Sequence, residues 1–140
     1  MKYLLDTDIC IFYFKGRFNL HQKIESIGIE NCYVSEITLL ELTYGAYNSS
    51  LFDKHMSEVY LLEELFNILP IRTVKDTYGK ERKRLKDNGN LIPNFDLLIG
   101  CTAKHHNMTM VTRNVRHLSR IDGLKIENWT DKVDNQFLSA

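Results

Sequence analysis

With 140 residues, 44% of them apolar and 26% charged, the chain has the composition of one globular domain and is too short for two. No apolar run approaches the roughly 18 residues a membrane span requires, and Asp6 and Asp8 interrupt what would have to be the apolar segment of a secretory signal. Eighteen basic and eighteen acidic residues cancel, so any attraction for a nucleic acid has to be local. Cys10, Cys32 and Cys101 are odd in number and lack CxxC spacing, which argues for reduced, buried thiols and a cytoplasmic location rather than a disulfide framework.

The chain opens with Tyr3, Leu4 and Leu5, an apolar run that suits a short strand covered on both faces and ends in Asp6 and Asp8. Helices are expected over 9–14, stopped near Gly16, and over 20–27, before Gly28. Cys32 to Val34 reads as a second strand, and Ser35 as the start of a helix reaching about Tyr47. An amphipathic helix follows over 52–66, then a short strand over 68–71 in which Pro70 marks an end or an edge. A basic helix over 74–86 is stopped by Asp87, Asn88 and Gly89, and Asn94 is placed as the cap of a helix running to about His106. Residues 109–112 form a fourth strand, and 124–129 alternate like a fifth at the border. The alternation implies an α/β fold, three-layer α/β/α, with a mostly parallel five-stranded sheet over residues 1–130 and a polar tail at 131–140.

Several acids stand in unexpected places. Ile37, Leu40, Tyr44 and Tyr47 recur at helical spacing as the expected core face, and Glu41 falls inside that stripe. An unpaired carboxylate is costly to bury, so a compensating group is expected; alternatively, Thr38 and Glu41 form an S/T-x-x-E capping box. Asp96 fits the first turn of its helix, where the macrodipole alone would favour it, but it also heads a small-residue face with Gly100 and Ala103 that could approach the sheet. The fourth strand ends in Thr112, Arg113 and Asn114, at the sheet edge expected for Asp6; Asn114 is equally an ordinary turn residue. Two basic patches could attract phosphates: Lys80, Arg82, Lys83, Arg84 and Lys86, which also read as a solvated helix face, and Arg113, Arg116, His117 and Arg120.

Gathering Asp6, Asp8, Glu41 and Asp96 would be unfavourable without cations, and hard oxygen ligands without clustered Cys or His point to Mg²⁺ or Mn²⁺ rather than zinc. His21, His55, His105 and His106 are assigned no ligand role, the last two closing a helix where a cation suits the dipole.

These residues together resemble the PIN-domain ribonucleases and, within them, the VapC-type toxins of bacterial toxin–antitoxin pairs. The resemblance covers about residues 1–129 and rests on LLDTDICIF, SEITLLELTYGA, PNFDLLIGCTAKHHNMTMVTRN and GLKIENW, in that order. It implies a Mg²⁺- or Mn²⁺-dependent endoribonuclease leaving 5′-phosphate and 3′-hydroxyl ends. It also implies homodimerisation, and inhibition by a small cognate antitoxin whose tail lies over the acidic site. Carried over by position, Asp6, Glu41 and Asp96 match the acids of the motif, with Asp6 and Asp96 as principal metal ligands and Glu41 as a ligand or water-orienting group. Asn114 stands where many PIN domains have a fourth Asp. Thr7, Asp8, Thr112, Arg113 and Arg116 are secondary or substrate-facing positions, Asp8 being read as a helix cap or outer support. His117 and Leu118 replace an acidic–aromatic pair common in the toxins. Phe12, Tyr13 and Phe14 either line the antitoxin groove or pack in the core. Two rival readings remain: a haloacid-dehalogenase-like phosphatase with an aspartyl nucleophile, because an apolar strand ending in DxD describes that site too, and an idle RNA- or antitoxin-binding module.

Overall fold

In the computed structural model residues 1–130 are described; the polar tail at 131–140 lies outside the described residues. The strands are β1 (Tyr3–Leu5), β2 (Cys32–Ser35), β3 (Asn67–Leu69), β4 (Thr109–Val111) and β5 (Ile126–Glu127). All pairings are parallel, in the order β3-β2-β1-β4-β5. Tyr3 pairs with Cys32 on one side of β1 and with Thr109 on the other. The connections therefore run outward from β1 in one direction to β3 and then resume on its other side at β4. In open α/β sheets such a reversal leaves a crevice at the C-terminal strand ends. Asp6 and Thr112 follow β1 and β4 directly there.

The helices are α1 (Thr7–Phe14), α2 (Leu20–Ile27), α3 (Glu36–Tyr47), α4 (Phe52–Leu65), α5 (Lys75–Asp87), α6 (Asn94–His105) and α7 (Val115–Leu118). They cover both faces of the sheet because strand side chains alternate. Leu4 joins a core with Leu85, Leu97, Cys101, Met110 and Leu118. Its neighbour Leu5 joins the opposite core with Ile9, Ile24, Val34, Leu62 and Val111. Cys10, Cys32 and Cys101 are free and buried, and burial raises all three thiol pKa values.

Several expectations are corrected. The third strand starts at Asn67 and ends at Leu69, before Pro70, which has no N–H to continue a ladder. Pro93, not Asn94, holds the cap position of α6. The Asn94 amide oxygen instead accepts hydrogen bonds from Tyr78 and Arg82 on α5. Leu40, Tyr44 and Tyr47 do not face the core: they are 62%, 70% and 71% exposed. α3 buries Ile37, Thr38 and Ala46 instead, because it packs between α1 and α4 and turns its aromatic side outward.

Gly100 faces the end of α7 and the loop after it rather than the sheet. A Cβ there would meet Ile121 Cδ1 and lie 2.7 Å from Leu118 Cδ1. Close approach at Gly100 thus sets how near α7 stands to α6. Gly100→Leu should lower stability by about 1–3 kcal/mol, the usual cost of overpacking. Denaturant melts of the variant would check this, unchanged stability counting against the close packing.

Candidate active site

Asp6 is the N-cap of α1, with extended backbone at φ −69°, ψ 164°. Its Oδ1 accepts from the Thr7 backbone N–H at 2.8 Å, and its Oδ2 accepts from the Thr112 hydroxyl at 2.7 Å. The cap is therefore Asp6 and not Asp8, a correction with a consequence. Asp8 lies in the first turn, where Oδ2 accepts from the Arg113 backbone N–H at 3.2 Å, while Oδ1 is buried with no hydrogen-bond partner among the described residues.

Glu41 comes in from α3. The Ser35 hydroxyl accepts from the Ile37 N–H and caps that helix, so Thr38 and Glu41 form no capping box. Instead the Thr7 hydroxyl donates to Glu41 Oε1 at 2.6 Å. Because that uses its single hydrogen, Thr38, 2.9 Å away, is the donor in the Thr38–Thr7 pair. Glu41 is half-buried at the margin of the inward face, not in the middle of an apolar stripe.

Asp96 lies in the first turn of α6. Its Oδ2 accepts from Asn114 Nδ2 at 3.1 Å and stands 3.5 Å from His117 Nδ1. The Asn114 backbone N–H donates to the Thr112 hydroxyl oxygen at 2.9 Å. Thr112 is fully buried and supports Asp6 rather than facing a substrate. Arg113 and Arg116 are exposed, and the Arg113 guanidinium lies over the rings of Phe12 and Phe18 at 5.4 and 5.7 Å. The contact of His117 with Asp96 and Asn114 was not foreseen, although its spacing of three from Asn114 puts both on one helical face.

The carboxylates share one field. Burial, then the charge of Asp8, pushes the Asp6 pKa up from its ordinary 3.8 to about 7, with Asp96 adding to the rise. Burial also raises Asp8 and Glu41, and Asp96 acts on both in the same direction. Among the described residues, however, no three His, Cys, Asp or Glu side chains are grouped tightly enough to hold a metal ion as they stand. Each acid is turned toward its own hydroxyl or amide donor, which offsets part of the repulsion among like charges. The donor set still fits a hard divalent cation. It is all oxygen, one buried carboxylate oxygen has no partner among the described residues, and added positive charge would relieve the raised pKa values.

An open groove of about 490 Å³ begins at Thr7 and Glu41 and continues between α1, α3 and α4 past Phe14, Leu42, Ala46, His55 and Val59. Of the three aromatics proposed for such a groove only Phe14 lines it. Tyr13 is buried and stacked on His21 at 4.0 Å, and Phe12 packs edge-on against Phe18.

The PIN domain family model matches residues 3–124. Ribonuclease VapC1 of Haemophilus influenzae is 35% identical over 133 residues, covering 93% of this chain and 99% of that protein. The tRNA(fMet)-specific endonuclease VapC of Shigella flexneri is 31% identical over 138 residues, with 93% and 99% covered. Among solved structures, VapBC2 from Rickettsia felis bound to a promoter DNA fragment superposes with a TM-score of 0.84 at 32% identity, over 92% of this chain and 99% of that one. VapBC from Salmonella typhimurium bound to DNA gives 0.85 at 29% identity, over 92% and 98%. With an all-parallel sheet and acids at its switch point, and matched by the family model over residues 3–124 and by these VapC relatives over 93% of its length, the chain belongs to the PIN-domain family, on its VapC branch.

Proposed function

We propose that the chain is an endoribonuclease acting as the toxin of a toxin–antitoxin pair, with an acidic site that works with Mg²⁺ or Mn²⁺ and leaves 5′-phosphate and 3′-hydroxyl ends. The observation that carries the metal reading is the buried Oδ1 of Asp8, which has no hydrogen-bond partner among the described residues, close to an Asp6 carboxyl pushed up to about 7. Asp6, Asp8 and Asp96 would hold the cation, with Glu41 as a further ligand or a group that orients water. When bound, such an ion lowers the pKa of a coordinated water and neutralises charge developing on a phosphodiester. Asn114 would hold Asp96 in place, while exposed Arg113 and Arg116 supply positive charge for the RNA backbone.

The phosphatase reading is disfavoured. Both Asp6 oxygens are engaged by Thr7 and Thr112, and no acid follows β4, where Thr112, Arg113 and Asn114 stand. The idle-module reading loses ground because Asp6, Glu41 and Asp96 are all present and electrostatically linked.

Partners follow from two surfaces. The groove leading from Thr7 and Glu41 suits the tail of a small antitoxin, in keeping with the VapBC complexes to which the fold is similar. Leu40, Tyr44 and Tyr47 recur at i, i+4 and i+7 on α3 and are exposed together, which suits a second copy of the chain. Among the described residues no helix is long and apolar enough to cross a membrane.

Three outcomes are expected. Purified protein free of antitoxin should cleave RNA in Mg²⁺ or Mn²⁺ but not in EDTA, and Asp6→Asn or Asp96→Asn should lower the rate about a hundredfold or more. Equal cleavage by all three proteins would remove the mechanism. The stability of the metal-free protein should depend on pH. Folded Asp6 binds its proton more tightly than the unfolded chain does, so the melting temperature should fall as pH rises from about 4 through about 7. Asp6→Asn, which keeps a good helix cap, should flatten that fall, and Mn²⁺ at about pH 8 should restore the parent but not the variant. A flat pH profile in the parent would contradict the burial of an ionising Asp6. Finally, Tyr44→Asp should convert a dimer to a monomer in analytical ultracentrifugation; an unchanged sedimentation coefficient would place the dimer interface elsewhere.

A further inference from the structure

His117 is the one ring in the acidic corner without a task in the mechanism above. It follows Asn114 by three residues on α7, and its Nδ1 lies 3.0 Å from Asn114 Nδ2. The protonation pattern of this corner follows from donor logic. The Asp96 carboxylate can only accept, so the Asn114 amide must turn its nitrogen toward it, and Nδ2 donates to Asp96 Oδ2 at 3.1 Å. An amide nitrogen cannot accept a hydrogen bond. The 3.0 Å contact is therefore a hydrogen bond only in the form whose Nδ1 carries a lone pair, to which the second N–H donates; the competing form would turn an Nδ1–H to Asp96 Oδ2 at the longer 3.5 Å. In a neutral imidazole the proton then resides on Nε2.

Nε2 has no hydrogen-bond partner among the described residues, and the His117 side chain keeps 34% of its exposure, in a chain stretch that also carries exposed Arg113 and Arg116. Around it the acids only accept, and the hydroxyl hydrogens of Thr7 and Thr112 are already given to Glu41 and Asp6. A neutral ring adds a donor here without adding another negative charge to four carboxylates that already repel one another. An anionic oxygen arriving beside Asp96 needs such a donor.

We propose that His117 is a substrate-positioning residue, held by the Asn114 amide as the Nε2–H tautomer so that this N–H donates to a non-bridging phosphate oxygen of RNA bound over Asp96. The proposal rests on the endoribonuclease reading and makes Asn114 a two-handed support, one N–H fixing Asp96 and the other fixing the ring.

The test has two arms. In ¹⁵N-histidine-labelled, metal-free protein at a pH where the ring is neutral, two-bond ¹H–¹⁵N spectra should show His117 as the Nε2–H tautomer, and Asn114→Ala should mix the two forms. A dominant Nδ1–H form in the parent would overturn the proposal. In RNA cleavage, His117→Ala and His117→Asn should raise KM about tenfold with kcat within about twofold, the expected worth of a hydrogen bond to a charged oxygen. His117→Gln, which can place an N–H near the position of Nε2, should restore KM to within about twofold of the parent. An unchanged KM in His117→Ala, or a loss confined to kcat, would overturn the positioning role. Failure of the unaltered protein to cut any RNA in Mg²⁺ or Mn²⁺ would strike the ribonuclease reading, and with it the RNA contact, whereas the tautomer arm would still decide the geometry by itself.

Discussion

Ionised carboxylates only accept hydrogen bonds, so gathering them at one sheet edge requires a donor for each, and the site is built around that requirement. Thr7 serves two acids at once, its backbone N–H binding Asp6 and its hydroxyl binding Glu41. Thr112 donates to Asp6 and accepts from the Asn114 N–H, and the Asn114 side chain in turn reaches Asp96. A continuous run of alternating donors and acceptors thus links α3, α1, β4, α7 and α6. It closes only because β1 and β4 are parallel neighbours that end together at the point where the strand order reverses. The two cores that clamp Leu4 and Leu5 from opposite faces fix that edge in place.

Comparison of Asp6 with Glu81 separates burial from function. Both are buried acids, 5% and 4% exposed. Burial works against the Glu81 charge as well, yet Lys104 at 2.6 Å and Arg84 at 2.8 Å bring its pKa below the ordinary value. That cluster ties α5 to α6 and is complete within the protein. Among the described residues no basic side chain pairs with Asp6; its neighbours are hydroxyl and amide donors and further acids, and its pKa rises to about 7. Neutral hydrogen bonds reduce the cost of a buried charge without cancelling it. What distinguishes the two buried acids is therefore the sign of their surroundings, not their depth.

The sheet, its direction and most helix spans were legible because short apolar runs and Gly or Pro punctuation are local signals. Asp6, Glu41 and Asp96 were legible as acids out of place, but the reasons differed from those first inferred. Glu41 was expected within a stripe of Ile37, Leu40, Tyr44 and Tyr47, three of which are exposed. Sequence periodicity finds an apolar face without saying whether the core or another chain covers it. Asp8 was read as a helix cap or outer support, and the cap is Asp6, because two carboxylates separated by one residue offer the same capping chemistry and only the backbone angles choose between them. His117 was out of reach for another reason. Its importance depends on Asp96, 21 positions earlier in the chain, arriving beside it through α6 packing at Gly100.

Thr7 and Glu41 belong to both the acidic site and the mouth of the groove between α1, α3 and α4. This sharing bears on how a toxin of this kind can be silenced. A segment seated along Phe14, Leu42 and Val59 would gain affinity from apolar burial far from the chemistry. Its end would reach the hydroxyl and the carboxylate that the site itself uses. Inhibition then needs no rearrangement of the sheet edge, only occupation of the groove as it stands. A cationic side chain at that end would add to the partial compensation that Arg113 gives Asp8 and would compensate Asp6 and Glu41, competing with RNA and metal for the same electrostatic deficit. Raised pKa values that would suit these acids to a metal would by the same physics favour a basic inhibitor.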